Sequence, residues 1–230
     1  MILPDFTWLL ILPAMLFAML AQSKVKAAYQ KYSRVRARSG VTGAQAARNM
    51  LDTAGLYHIK VKMGHGELTD HYDPRNGVVS LSPGVYQSNS VAALGIAAHE
   101  AGHALQHSEG YLPLSFRNNI FPLANLGSRM AMPLFFIGFI FSVQGTNSVF
   151  MNVGIMLFAF AVLFHIVTLP VEFNASSRAV KLLESGGFIA RDEVGGTRQV
   201  LSAAALTYLA SAAVALTQLV RLLILRDRRR

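Results

Sequence analysis

The chain contains no cysteine, so disulfide bonds and thiolate metal centres are excluded, and any metal site must be built from nitrogen and oxygen donors. It is also short of charge. Asp, Glu, Lys and Arg make up 14% of the 230 residues against 53% hydrophobic, with a mean hydropathy of +0.39. Soluble domains carry about 25% charged residues, so an ordinary water-soluble globule is excluded and a membrane protein is expected. Acidic groups are the scarcer sign, 12 against 21 basic, giving a formal net charge of +9. No internal repeat or low-complexity segment is evident.

What is abundant is apolar sequence in long runs. Leu3 to Ala21, Phe121 to Val143, Val149 to Pro170 and Leu201 to Leu225 each approach the length needed to cross a hydrocarbon core of roughly 30 Å. The first run is preceded by Asp5 and by no Lys or Arg, so it is expected to be a retained anchor rather than a signal peptide. Basic residues cluster beside the runs: Lys24, Lys26, Lys31, Arg34, Arg36 and Arg38 after the first, and Arg226, Arg228, Arg229 and Arg230 at the end. Flanking apolar spans make this a membrane-orientation signal, and no nucleic-acid partner is expected. The positive-inside rule puts the segment after the first run in the cytoplasm, Gln144 to Ser148 outside, and Arg178, Lys181, Arg191 and Arg198 inside again. The last run contains Gln218 and Arg221, and its crossing is left open: a full span would carry the arginine-rich tail outside, against the rule.

The one sizeable polar stretch, Gln22 to Asn119, is expected to form the water-facing domain. Thr42-Gly-Ala-Gln45 is a capping box opening a helix that stops at Gly55. His58 to Met63 and Glu67 to Asp73 are extended candidates, and Asp73-Pro-Arg-Asn76-Gly77 is a turn leading into a third, Val78 to Ser82. If Val78 to Ser82 is an exposed edge, a substrate chain could pair with it as an added strand; the alternative is an ordinary interior strand. Pro83 and Gly84 end it, and Ser90 is placed to cap a helix from Val91 to His107.

That helix carries His99-Glu100-Ala101-Gly102-His103. Residues four apart fall on nearly one face about 6 Å along the axis, so both imidazoles can reach one metal ion. Glu100 then lies beside the ion, where it can take a proton from a metal-acidified water and pass it to a departing amine. The pattern points to peptide-bond hydrolysis. Solvated His and Glu on a helix surface would be the plain reading, but Val91 to Ala98 has no charged residue and is built for burial, where a His-Glu-His group needs a cation. A catalytic zinc usually takes three protein ligands. His107 lies about 12 Å along the helix from His99, too far to close the site, and Glu109 has the same problem. Glu172 is favoured: it follows the third apolar run, and two runs separate it from the histidines, which returns the chain to the same side. Pro170 is expected to break the chain there and start a new helix. Pairing of Glu172 with Arg178 is the structural alternative, and Glu184 and Glu193 are weaker ligand candidates.

Leu68-Thr-Asp-His-Tyr-Asp-Pro74, Ala98-His-Glu-Ala-Gly-His-Ala-Leu-Gln106, Thr168-Leu-Pro-Val-Glu-Phe-Asn-Ala-Ser176 and Ala204-Ala-Leu-Thr-Tyr208 together resemble the YugP-type neutral zinc metallopeptidase family of bacterial membrane proteins. The resemblance spans nearly the whole chain and implies a membrane-bound zinc endopeptidase. A more distant similarity is to integral membrane gluzincins, which carry an Asp four residues after the ligand glutamate. Ser176 stands there in this chain, so Asn174 or Ser176 would have to orient a ligand instead.

The expectation is an α+β, predominantly helical integral membrane protein, with a zincin-like catalytic domain, a small β-sheet and 3–4 transmembrane helices. Its segments are 1–22 (anchor), 23–119 (zincin-like domain), 120–170 (transmembrane hairpin), 171–200 (third-ligand helix and loop) and 201–230 (hydrophobic helix and basic tail). One Zn2+ is held by His99, His103 and Glu172 with Glu100 as general base. His71, Tyr208 and Arg178 are candidate oxyanion donors. Asp70-His71-Tyr72-Asp73 is favoured as structural or cleft-lining over a second metal site. The expected partners are the bilayer and a polypeptide substrate, membrane-associated or misfolded, cleaved on the cytoplasmic side of the cell membrane. A noncatalytic scaffold or chaperone with structural zinc is the rival reading, and a transporter the third.

Overall fold

The computed structural model describes residues 6–141 and 148–228. Asp5, the loop from Gln144 and the last two arginines lie outside the described residues. After a 3-10 turn at Phe6–Leu10 come α1 (Leu12–Tyr32), α2 (Gly43–Thr53), the strands β1 (Lys60–Met63), β2 (His71–Asp73) and β3 (Val78–Leu81), then α3 (Pro83–Tyr86), α4 (Val91–Ser108), α5 (Leu112–Phe141), α6 (Ser148–Ser185) and α7 (Val194–Asp227). Among the described residues, four helical stretches are long and apolar enough to cross a membrane: Phe6–Tyr32, Leu112–Phe141, Val149–Ser185 and Val194–Asp227. The chain is thus predominantly helical with one small sheet, as its sequence suggests.

It divides into two compact units. The first comprises Met1–Ala21, Ser115–Pro170 and Thr207–Arg230. Its core gathers Phe135, Met151, Ile155, Leu222 and Leu225. Helices α5 and α6 approach closely where side chains vanish: a Cβ on Gly154 would lie 2.7 Å from the Ala131 carbonyl oxygen, and one on Gly127 would collide with that of Leu157.

The second unit comprises Gln22–Leu114 and Val171–Leu206 and contains the sheet. Helix α2 starts where the capping box predicts, with Thr42 Oγ1 accepting the Gln45 N–H and the Gln45 side chain accepting the Thr42 N–H. It ends at Thr53, and Gly55 just beyond it turns the chain away with a φ of +74° that suits glycine. The strand order is β1-β3-β2, with β1 parallel and β2 antiparallel to β3. Strand β3 is therefore central and paired on both sides, and the idea that Val78 to Ser82 offers an edge to substrate fails. The reason is burial: Val79 and Leu81 are fully enclosed in the core, so the strand is flanked rather than exposed, and the edges are β1 and β2.

Helix α4 is buried almost all round from Val91 to Ala98, as its lack of charge demands, and Ser90 caps it through the Ala93 N–H. It packs on α2 and on the later part of α6 through Leu94, Ala98, Ala101, Val180 and Leu183. Pro170 does not break α6, contrary to expectation. It removes one ladder N–H, at a cost of about 3 kcal/mol, but Val171, Ala175 and Ala179 are fully buried and their packing carries the helix past it. Glu172 therefore sits inside a helix. Gly102 lets α4 meet that helix, since a Cβ there would be 3.0 Å from the Ala175 carbonyl oxygen. Replacing Gly102 by Val should destabilise the fold by about 1–3 kcal/mol, read as a lowered midpoint in denaturant or thermal unfolding.

Candidate metal centre

The 3.6-residue period of α4 puts His99 and His103 on one face, and α6 brings Glu172 to meet them. His99 Nε2 lies 3.1 Å from His103 Nε2 and 3.2 Å from Glu172 Oε2, and His103 Nε2 is 3.5 Å from the same oxygen. The imidazole planes stand nearly perpendicular, at 83°, so the two rings converge edge-on rather than stack. All three residues are largely buried, Glu172 with 4% of its surface exposed. Two nitrogen lone pairs and a carboxylate oxygen this close repel one another unless protons or a cation lie among them. A tetrahedral zinc with bonds of about 2.0–2.1 Å separates its ligand atoms by about 3.3 Å, so the triangle has the dimensions and donor types for zinc. Among the described residues it is the one group so arranged.

Glu100, next along the helix, is buried to 8% exposure, yet its carboxylate forms no hydrogen bond or ion pair with the described residues. Its oxygens retain contact with solvent.

The family described as "Putative neutral zinc metallopeptidase" matches residues 7–227. The chain belongs to this neutral zinc metallopeptidase family. It is 51% identical over 201 residues to the "Putative membrane protease YugP" of Bacillus subtilis (strain 168), covering 87% of this chain and 88% of that protein. No solved structure matches it.

In this family member the candidate ligands are themselves held by partners, one of which sequence reasoning missed. His103 Nδ1 is 3.0 Å from Gln106 Oε1, and Gln106 Nε2 donates to the Val171 carbonyl and to Asn174 Oδ1, both at 2.9 Å. Asn174 Oδ1 also accepts from Arg178 Nε at 2.7 Å. A guanidinium only donates, so the oxygen of Asn174 must face Arg178. The amide nitrogen of Gln106 then faces Asn174, and its oxygen faces His103. The proton of His103 is thereby fixed on Nδ1, which leaves Nε2 bare for a metal. The signal for Gln106 lay in the sequence: a carboxamide three residues beyond His103, on the same face of a helix built for burial, needs partners.

Other candidates are placed as follows. Ser176 Oγ is 3.2 Å from His99 Nδ1 and can accept its N–H, so Ser176 does orient one of the candidate metal-binding histidines. Arg178 pairs with Glu109 at 2.6 Å and not with Glu172. His107 Nδ1 is bonded to the Tyr72 hydroxyl at 3.0 Å. Asp70 accepts the Ser82 N–H and hydroxyl, Asp73 accepts the N–H groups of Arg75 and Asn76, and His71 Nδ1 meets the Thr69 carbonyl. Asp70 thus ties the start of β2 to the end of β3, and Asp73 builds the turn between them. Tyr208 belongs to the other unit. Glu184 and Glu193 stand apart from the triangle, and Glu193 binds the backbone N–H groups of Arg38 and Ala190.

Burial opposes a charged His103, but its hydrogen bond to Glu172 and the nearby Glu100 and Glu172 carboxylates outweigh it, so its proton affinity rises above the ordinary value. Proton and metal compete for Nε2, so zinc affinity should fall with decreasing pH from above the usual histidine range. Gln106→Leu should weaken zinc binding about 10- to 100-fold; chelator competition across a pH series measures both effects.

Proposed function

We propose that this member of the family is a membrane-bound zinc endopeptidase in which His99, His103 and Glu172 hold one zinc ion and Glu100 is the general base. The observation that carries this reading is the convergence of three zinc-type donors beside a buried carboxylate with no partner of its own. When bound, zinc supplies Lewis acidity, polarising the scissile carbonyl and acidifying a water molecule. Glu100 orients that water, takes its proton as it attacks, and returns the proton to the amine that leaves. Gln106 and Ser176 keep the histidine rings in register, and Asn174 with Arg178 fixes Gln106. A purely structural zinc would have no use for the unbonded Glu100, which weighs against a scaffold.

The substrate in this reading is polypeptide, membrane-associated or misfolded. The basic residues Lys24, Lys26, Lys31, Arg34 and Arg36, which follow the first apolar run and begin in the last turns of α1, support a cytoplasmic site in a multi-pass protein. With Val78 to Ser82 interior, an extended substrate would pair with one of the true edges, β1 or β2.

Glu100→Gln should retain zinc by metal analysis and lose cleavage by about a hundred- to ten-thousandfold, whereas Glu172→Ala should lose zinc itself. Full activity in the first variant, or full metal content in the second, would refute the assignment.

A further inference from the structure

The far side of α5 carries chemistry that the metal centre does not use. At about 100° per residue, Ile120, Ala124, Gly127, Ala131 and Phe135 form the buried face of this helix. Asn118, Asn125 and Arg129 fall opposite, within about 40° of one line. Asn118 and Arg129 are exposed and Asn125 half-buried, and none of the three side chains forms a hydrogen bond, ion pair or ring contact with the described residues. Pro122 and Pro133 lie on the same side. Each sits four residues after a member of the stripe, so the carbonyls of Asn118 and Arg129 lack their usual in-helix N–H donor.

Depth makes this costly. Arg129 lies about 18 Å from Phe141 and about 15 Å from Asn119 along the axis, in a helix apolar enough to span a membrane and with exposed Leu126, Met130 and Phe136 around it. Near the middle of a layer roughly 30 Å thick, an arginine needs an anionic partner in protein. This unit cannot supply one: between Ser115 and Pro170 there is no Asp or Glu, and elsewhere it has only Asp5 and Asp227, near its ends. For the same reason a second copy joined through the stripe would set Arg129 against Arg129.

We propose that the Asn118–Asn125–Arg129 stripe of α5 docks a membrane-embedded helix of another protein that carries a carboxylate near mid-bilayer, with Arg129 as its counter-ion. The asparagines and the two freed carbonyls supply acceptors and donors for polar groups flanking that acid, which fits a polypeptide better than a lipid.

The test uses the full-length protein in phosphatidylcholine vesicles, labelled at one introduced cysteine, which the cysteine-free chain permits. Acceptor-labelled leucine–alanine transmembrane peptides bearing a single central Glu, Gln or Leu are the probes, and energy transfer reads association. The Glu peptide should associate about tenfold more tightly than the Leu peptide. R129M should abolish that preference, and R129K should retain part of it. Equal association of Glu and Leu peptides with the wild-type protein overturns the proposal, and this comparison stands even if R129M fails to insert. The proposal also falls if R129M keeps the preference, if the protein self-associates through Arg129 without peptide, or if phosphatidylglycerol vesicles erase the preference because lipid phosphate fills the site.

Discussion

Two imidazole nitrogens and a carboxylate oxygen held within 3.5 Å of one another are the constraint around which the second unit is arranged. In a low-dielectric interior such a group is repulsive without a cation, so the fold must both force it together and leave it the right protons. Force comes from α4 and α6, whose backbones meet where Gly102 faces Ala175. Gln106 and Ser176 hold the ring protons on the outer nitrogens by accepting them, one for each imidazole.

Much of this could be read in the residues. The helix bearing His99 and His103 announces itself by a charge-free run and a serine cap, and Glu172 by its place after a second long apolar run. The family assignment agrees with the broader expectation of a zinc metallopeptidase. Two expectations failed for identifiable reasons. Pro170 was expected to stop a helix, yet one missing N–H is a local cost, and burial of Val171, Ala175 and Ala179 is settled by tertiary partners that no local signal encodes. Val78 to Ser82 alternates as an edge strand also would; which strands flank it depends on chain paths through β1 and β2. Gln106 was visible as a buried-helix carboxamide, but its role depends on Asn174, 68 residues away.

The apolar helices were legible by length and composition, and their number agrees with the upper expectation. Their polar residues were not interpretable from sequence, because a stripe acquires meaning only when the packed face is known. On α5 the small residues that seat α6 define which side is left for Arg129.

The hydrogen bonds running from Arg178 through Asn174 and Gln106 to His103 have a fixed polarity, since they begin at a group that can only give and end at a ring that must give. This makes the two carboxamides unequal under the same chemical insult. Hydrolysis of Asn174 to the acid would leave its accepting role intact and add a charge that the guanidinium welcomes. The identical change at Gln106 would strip away both N–H donors and aim a carboxylate at the Val171 carbonyl and the Asn174 oxygen. Ageing or mutation by amide-to-acid exchange would therefore be tolerated at one link and ruinous at its neighbour.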